Sequence, residues 1–171
     1  MTADIVAGYQ VTKELNVSAS YEKMFYEDEY KAVQFLAQIE DRAKLNLEFE
    51  SHDWLVYVDG TYTGERDLAK YGYGDTYNVF DDANDNGEVD EGELKDPKKT
   101  EAPAYMTFNM KLSKTFGMYT LYAGAKNLLD YTQTRKEESP LVWDSEGGYD
   151  VGHIWGPLKG RQLYGGIQVK F

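Results

Sequence analysis

From residue 43 the chain reads Ala43-Lys44-Leu45-Asn46-Leu47-Glu48-Phe49-Glu50, then Ser51-His52-Asp53, then Trp54-Leu55-Val56-Tyr57-Val58-Asp59-Gly60-Thr61-Tyr62. On both sides of the Ser51-His52-Asp53 stretch, the residues at every second position are mostly apolar. Such alternation predicts a strand with one apolar and one more polar face. Because the stretch between the two runs is so short, they are predicted to pair as an antiparallel hairpin.

Five further runs alternate in the same way, which brings the prediction to seven strands. They cover residues 5–11, 15–22, 106–113, 119–125 and 163–171. Most are close to the length of about ten residues that a tilted strand needs to cross a bilayer. Short turns lie at Lys13, His52 and Phe116, whereas the other connections are long. The long connections span residues 25–40, 66–102 and 129–160. Since short and long connections alternate strictly, all short turns are expected at one end of the sheet.

This asymmetry is typical of outer-membrane barrels, which have short periplasmic turns and long extracellular loops. Alternation alone would also fit a soluble β-sandwich. Aromatic residues lie near strand ends, as in the interfacial girdles of membrane barrels: Tyr9, Tyr21, Phe49, Trp54, Tyr62, Tyr119 and Phe171. The pattern therefore favours a membrane barrel over a soluble all-β domain.

The alternation also predicts which way the side chains face. The outward, apolar face is expected to carry Leu45, Leu47, Val56, Val58, Met106, Phe108, Met110, Ile167 and Val169. The face toward the lumen is expected to carry Lys44, Asn46, Glu48, Glu50, Tyr57, Asp59, Thr107, Asn109 and Lys111. A wide, wet lumen tolerates so many polar and charged groups, whereas a small filled barrel does not.

Composition narrows the classes of function. The formal net charge of -12 argues against a nucleic-acid partner, because phosphate binding needs clustered Lys and Arg. The absence of Cys excludes disulfides and thiolate metal sites within this sequence. No Gly-x-Ser-x-Gly motif or other catalytic pattern is present, so no enzyme is expected. Neither a signal peptide nor a run long enough for a transmembrane helix is visible, which leaves a soluble protein or a barrel targeted by a segment outside this sequence.

Two stretches near the end of the sequence carry more specific motifs. The first, Tyr122-Ala123-Gly124-Ala125-Lys126-Asn127-Leu128-Leu129-Asp130-Tyr131, resembles the penultimate strand in the family of TonB-dependent receptors of the bacterial outer membrane, which ends in an Asn-Leu-aromatic/Leu-Asp signature. Trp155-Gly156-Pro157-Leu158-Lys159-Gly160-Arg161 and residues 162–171 resemble its last loop and strand, in which a Gly-Arg pair opens the strand and an aromatic residue ends the chain. The strands upstream fit the family by pattern only.

The resemblance implies an all-β fold: an antiparallel transmembrane β-barrel segment of about seven strands, the last part of a 22-stranded barrel with a plugged lumen. Residues 1–171 would then be the C-terminal portion of a receptor in the bacterial outer membrane that imports a scarce, bulky nutrient such as a metal chelate or a cofactor. The implied partners are the remaining strands and the plug, TonB acting through that plug, outer-membrane lipid, and the barrel-assembly machinery. That machinery would read Phe171 as an assembly signal.

One motif lies inside the long loop at residues 66–102, which the topology predicts to be extracellular. The stretch from Asp82 to Glu93 matches the calcium-loop pattern D-x-[DN]-x-[DN]-G-x5-E at every fixed position. The predicted Ca²⁺ ligands are Asp82, Asn84, Asn86, Glu88 through its carbonyl, Asp90 and Glu93. An acidic, disordered loop is the alternative.

The long loops also hold candidate ligand contacts, because barrels of this kind bind substrates with loops. These candidates are Tyr71, Tyr73, Tyr77, His153 and Trp155. For the three tyrosines, packing of the loop on itself is the favoured alternative. For His153 and Trp155, the favoured alternative is a role as packed anchors of their loop. A soluble, all-β, calcium-dependent binding module stays open as the alternative function.

Overall fold

The computed structural model describes residues 1–34, 37–71, 76–80, 84, 86, 90, 94–97, 100–136, 142–144, 149–150 and 154–170. Its main element is a seven-stranded antiparallel sheet in which strands adjacent in the sheet follow one another along the chain, apart from short strands in the loops. The main strands are β1 (Thr2–Gln10), β2 (Leu15–Met24), β3 (Asp41–Ser51), β4 (Trp54–Thr63), β9 (Tyr105–Phe116), β10 (Tyr119–Lys126) and β13 (Gln162–Val169). The prediction of an all-β antiparallel fold with seven long strands is confirmed.

The connections between these strands also follow the prediction. Residues 11–14, 52–53 and 117–118 make the short turns, at what we name the short-turn end of the sheet. The turns use left-handed backbone at two positions, His52 with φ 53° and Gly117 with φ 59°. The long connections lie at the opposite end, the long-loop end.

The strand register sorts the side chains onto two faces. Leu47 lies opposite Val17 and Val58, whereas its neighbour Glu48 lies opposite Asn16 and Tyr57. Because residues directly opposite each other in an antiparallel pair share a face, the predicted apolar set shares one face and its alternates share the other. The predicted separation into an apolar and a polar face is therefore confirmed.

The apolar face is strongly exposed. On the two outermost strands, Ile5 is 72% and Leu163 is 78% exposed. Aromatic side chains near both ends are exposed as well, among them Tyr21, Trp54 and Tyr119. The buried residues lie mainly in the loops and at the ends of strands rather than beneath the sheet, an unusual arrangement for a soluble domain of this size.

The long loops contain short elements that the alternation does not predict. They are β5 (Arg66–Asp67), a 3₁₀ turn (Leu68–Lys70), β6 (Thr76–Phe80), β7 (Leu94–Pro97), β8 (Glu101–Ala102), β11 (Val142–Asp144), β12 (Tyr149–Asp150), α1 (Asp28–Ala32) and α2 (Gln133–Lys136). Strands β5 and β8 pair at the base of the loop at residues 66–102. Strands β6, β7, β11 and β12 form a four-stranded sheet shared by the last two long loops. Among the described residues, no helix is both long and apolar enough to cross a membrane.

Candidate functional site: a polar sheet face beneath anchored loops

Hydrogen bonds join neighbouring strands across the polar face. Asn46 donates its side-chain amide to Ser18 Oγ at 3.1 Å, and Tyr57 donates its hydroxyl to Asn46 Oδ1 at 3.2 Å. Farther along, Asn109 donates to Asp59 Oδ2 at 2.7 Å. The face thus offers hydroxyl, amide and carboxylate groups that are held in position by their neighbours.

A shallow depression of about 440 Å³ lies on this face toward the short-turn end. Its lining is mostly small or polar: Gly8, Tyr9, Gln10, Asn16, Val17, Ser18, Asn46, Glu48 and Tyr57. The side chains of Asn16, Asn46 and Glu48 offer hydrogen-bonding groups there to a polar solute or a polar protein surface.

At the long-loop end, Asn127 links the polar face to the last loop. Its backbone N–H donates to Asn109 Oδ1 at 3.0 Å. Its side-chain amide donates to the carbonyls of Tyr131 at 2.7 Å and Lys159 at 3.0 Å, while Oδ1 accepts the Tyr131 N–H at 3.1 Å. Asn127 has φ 49°, a left-handed conformation that Asn adopts more readily than most residues. The side chain therefore ties the chain leaving β10 to the chain approaching β13.

Asp130 makes a second tie between the same two segments. Its carboxylate accepts the backbone N–H of Arg161 at 2.6 Å and pairs with the guanidinium of Arg135. The hydrogen bond from Arg161 and the charge of Arg135 hold the pKa of Asp130 below its ordinary value. A Cβ at Gly160 would overlap this carboxylate, so a larger residue there would displace the Asp130 side chain. We name Asn127, Asp130, Gly160 and Arg161 the clasp.

The bases of all three long loops meet in a small core. Leu68, Ala102 and Trp155 are 1%, 0% and 4% exposed, and Ala37, Tyr105 and Tyr131 pack against them. We name these six residues the loop-anchor cluster. The rings of Tyr105 and Tyr131 stack with centroids 5.1 Å apart. Because Ala37, Leu68 and Trp155 come from different loops, the cluster fixes the loop bases relative to one another.

Polar side chains next to the loop-anchor cluster also join the bases of the loops. Arg66 is 5% exposed and donates to the carbonyl of Ala37 at 3.2 Å and to that of Trp155. Gln133 is fully buried, and its Oε1 accepts the N–H groups of Trp155 at 3.1 Å and Gly156 at 3.0 Å. These bonds satisfy backbone groups that would otherwise be buried without partners.

Two of the predicted ligand contacts, Tyr71 and Trp155, are packed into the structure. Tyr71 is 3% exposed, and its hydroxyl donates to Glu40 Oε1 at 3.2 Å. The same Glu40 oxygen pairs with Lys31 at 2.6 Å. Burial, followed by the negative charge of Glu40, raises the pKa of Tyr71. The structure thus packs Tyr71 and Trp155 against residues of other loops, and contact with a ligand stays a prediction for both.

Of the other predicted residues, Tyr77 lies in β6 and pairs with Trp143 of β11. Tyr73, His153 and Phe171 lie outside the described residues. Their roles as ligand contacts and as the assembly signal stay predictions.

The predicted calcium loop is described in part. Asn84 and Asn86 donate their side-chain amides to Asp90 Oδ2 at 2.7 Å and 2.9 Å, and Asn84 Oδ1 accepts the Asn86 N–H at 3.0 Å. Asp82, Glu88 and Glu93 lie outside the described residues. Strand β6 precedes this segment and β7 follows it, where an EF-hand would have helices. Among the described residues, no group of three or more His, Asp or Glu is arranged to hold a metal ion.

No protein-family model matches this sequence, and no curated protein matches it. A solved structure of the copper transporter OprC is similar to it, with a TM-score of 0.55 and 16% sequence identity. The likeness shows a common fold. It covers 98% of this chain and 23% of the transporter, so this chain spans less than a quarter of that protein's length.

Sequence reasoning located the clasp without giving its role. In the sequence, its four residues are marks of a family resemblance. The structure shows that Asn127 donates to the carbonyl of Lys159 and that Asp130 accepts the N–H of Arg161, so the two segments are bonded to each other. Arg66 and Gln133 were missed altogether. No alternation or motif marks them, because their importance comes from loop bases that are distant in sequence.

Proposed function

We propose that this chain forms the closing strands of a TonB-dependent receptor in the bacterial outer membrane, which imports a scarce, bulky nutrient such as a metal chelate or a cofactor. One observation carries the proposal: nearly the whole chain matches a minor part of a copper transporter, with every long loop at one end of the sheet. Copper is the metal in that transporter's name, which supports a metal-containing compound as the class of cargo.

The exposed apolar face supports the membrane setting. An apolar face that extends across a whole sheet is rare on soluble monomers, whereas membrane lipid can cover such a face without a cost in free energy. Backbone groups at the outer edges of β1 and β13 would need further strands in a membrane, since lipid offers no hydrogen bonds. These strands would be supplied by the rest of the receptor.

The polar face supports a lumen. Its amide and carboxylate groups suit a plug domain or a hydrated cargo, and the loop-anchor cluster would hold the loops above the entrance. In this proposal the loop at residues 66–102 is extracellular and binds Ca²⁺, and the barrel-assembly machinery reads Phe171.

Cysteine labelling tests the membrane topology. Because the sequence contains no Cys, single cysteines can be placed at Met118 in a short turn and Leu158 in a long loop, which are 48% and 46% exposed. On intact Gram-negative cells, a membrane-impermeant maleimide should label Leu158→Cys and leave Met118→Cys unlabelled until the outer membrane is opened. Equal labelling of both sites in intact cells would reject the topology.

Uptake tests the transport function. Cells that depend on the complete receptor should accumulate its metal chelate or cofactor, and deletion of TonB should abolish that accumulation while leaving the receptor in the outer membrane. Uptake that persists without TonB would contradict TonB-dependent transport and would indicate a barrel that transports by a different mechanism.

The alternative is a soluble, all-β, calcium-dependent binding module. An apolar groove of about 550 Å³ on the exposed face would serve such a module as a ligand site. Solubility separates the two proposals, because a soluble module stays monomeric in plain buffer whereas an open piece of barrel needs detergent.

A further inference from the structure

Three charged side chains lie on the apolar face within the main strands: Lys23, Asp41 and Lys114. Lys23 and Asp41 stand directly opposite each other near the long-loop end and form an ion pair at 2.6 Å. Lys114 lies near the short-turn end and forms no ion pair with any residue that the structure describes. The described part of the face thus carries one positive charge, that of Lys114, which no described residue neutralises.

Aromatic rings hold this charge in place. Lys114 Nζ lies 4.5 Å from the ring centroid of Trp54, which is its cross-strand partner, and 5.0 Å from that of Phe116. Both rings are exposed. Attraction between an ammonium and the face of an aromatic ring favours this position. On its other side Lys114 lies opposite Leu121 of β10, which is apolar as well.

The position along the strand matters as much as the neighbours. Lys114 is two residues before the end of β9 at Phe116, which is about 7 Å along a strand. In a strand that faces lipid, aromatic rings near the ends lie at the level of the headgroups, and a lysine extends its ammonium to the same level. The anionic group that membranes offer at this depth is the lipid phosphate.

We propose that Lys114, Trp54 and Phe116 form a binding site for the phosphate of an anionic glycerophospholipid in the leaflet at the short-turn end. The ammonium donates to the phosphate oxygens, and the two rings pack against the glycerol and the upper acyl chains. This site rests on the proposed function, because a phospholipid reaches this face only in a membrane. The Lys23–Asp41 pair leaves no equivalent charge at the other end.

Lipid titration followed by native mass spectrometry tests the site. The complete polypeptide carrying this chain is purified in detergent, stripped of lipid, and titrated with phosphatidylglycerol or with phosphatidylcholine. The first phosphatidylglycerol should bind more tightly than the first phosphatidylcholine. Lys114→Gln should weaken phosphatidylglycerol binding about fivefold, the factor expected for one lysine near a membrane surface. Lys114→Arg should retain the affinity.

Lys111→Gln is the matched control, because Lys111 also contacts an aromatic ring, that of Tyr122 at 5.6 Å, but lies on the polar face. It should leave lipid affinity unchanged. If Lys114→Gln does not fold, Lys114→Met replaces it and keeps the length of the side chain. An unchanged affinity in the uncharged variant overturns the site alone. A protein that stays monomeric without detergent overturns both this site and the membrane barrel.

Discussion

Asp130 shows how one side chain can hold a strand connection that spans many residues. Its carboxylate accepts the N–H of Arg161, 31 positions along the chain. Because the pKa of Asp130 is lowered in the folded protein, the stability it contributes is present above its unfolded pKa of about 4 and is lost as pH falls through the folded value.

We therefore expect Asp130→Ala to lower the unfolding midpoint of the protein at pH 7, and this difference from the natural protein to shrink as pH falls below about 4. Thermal unfolding followed by circular dichroism across this range measures it. Glu65→Ala, which removes an exposed carboxylate, is the control and should change little. A difference that stays constant down to pH 2 would show that the Asp130 charge plays no part.

For single residues, the sequence indicates which positions matter better than it indicates which partners they bond to. The Asn127 and Asp130 signature and the Gly160-Arg161 pair could be recognised because their order along the chain is itself the pattern. That Asn127 Nδ2 reaches the carbonyl of Lys159 could not be predicted, since it depends on how two distant segments approach each other. Tyr71 and Trp155 pack against other loops, and these partners could not be predicted for the same reason.

Strands are the elements that sequence reasoning predicts best in this chain. Alternation marks them because one face is apolar and the other polar, and a register slip of one residue would reverse both faces. The short strands in the loops, such as β5 and β8, have no such mark. They form where two distant backbones meet, which periodicity along one segment cannot indicate.

The faces of β3 lead to a test with two adjacent residues. Leu47→Arg should destabilise the protein by about 2–4 kcal/mol if the site lies near mid-bilayer, because it places a charge in lipid. Glu48→Arg, on the polar face, should change stability much less. Urea titration of both variants in lipid vesicles compares them. Equal losses for the two variants would contradict the assigned faces.

Strands β10 and β13 are joined by two reciprocal pairs of tyrosine and glycine. Tyr164 lies over Gly124, and Tyr122 lies over Gly166, each directly across the strand pair. A Cβ at Gly124 would also come within 2.6 Å of the Met110 carbonyl oxygen.

We expect Gly124→Ala to destabilise the protein by about 1–3 kcal/mol through overpacking. Gly8→Ala, where the nearest atom is 3.9 Å from the new Cβ, should stay within about 0.5 kcal/mol in the same denaturant titration. Similar effects at both positions would remove the packing explanation.

The loop at residues 66–102 is the element for which the sequence predicts a ligand. Without the helices of an EF-hand the site has little preorganisation, so Ca²⁺ should bind with a Kd on the order of 10⁻⁴–10⁻³ M, as in extracellular modules. Glu93→Gln should weaken this binding at least tenfold, because it removes the bidentate carboxylate. Calorimetry on both proteins measures the change, and heats that are identical in the two would end the calcium prediction.

For the whole molecule, the two outer strands of the main sheet determine how the isolated chain associates with other copies in solution. Among the residues that the structure describes, β1 pairs with β2 alone and β13 with β10 alone, so each has an outer edge without a described strand beside it. Such edges pair readily with other chains, and here they adjoin an apolar face that is also exposed.

The isolated chain of 171 residues should therefore form oligomers or aggregates in plain buffer and become dispersed when detergent is added. Detergent covers the apolar face but cannot supply backbone partners, so edge-to-edge dimers should persist at high protein concentration. Size-exclusion chromatography with light scattering, with and without detergent, measures both effects. A monomer in plain buffer at every concentration would mean that the apolar face and both edges are covered by the chain itself. That outcome would favour the soluble binding module, because no open segment of a membrane barrel can shield three such surfaces alone.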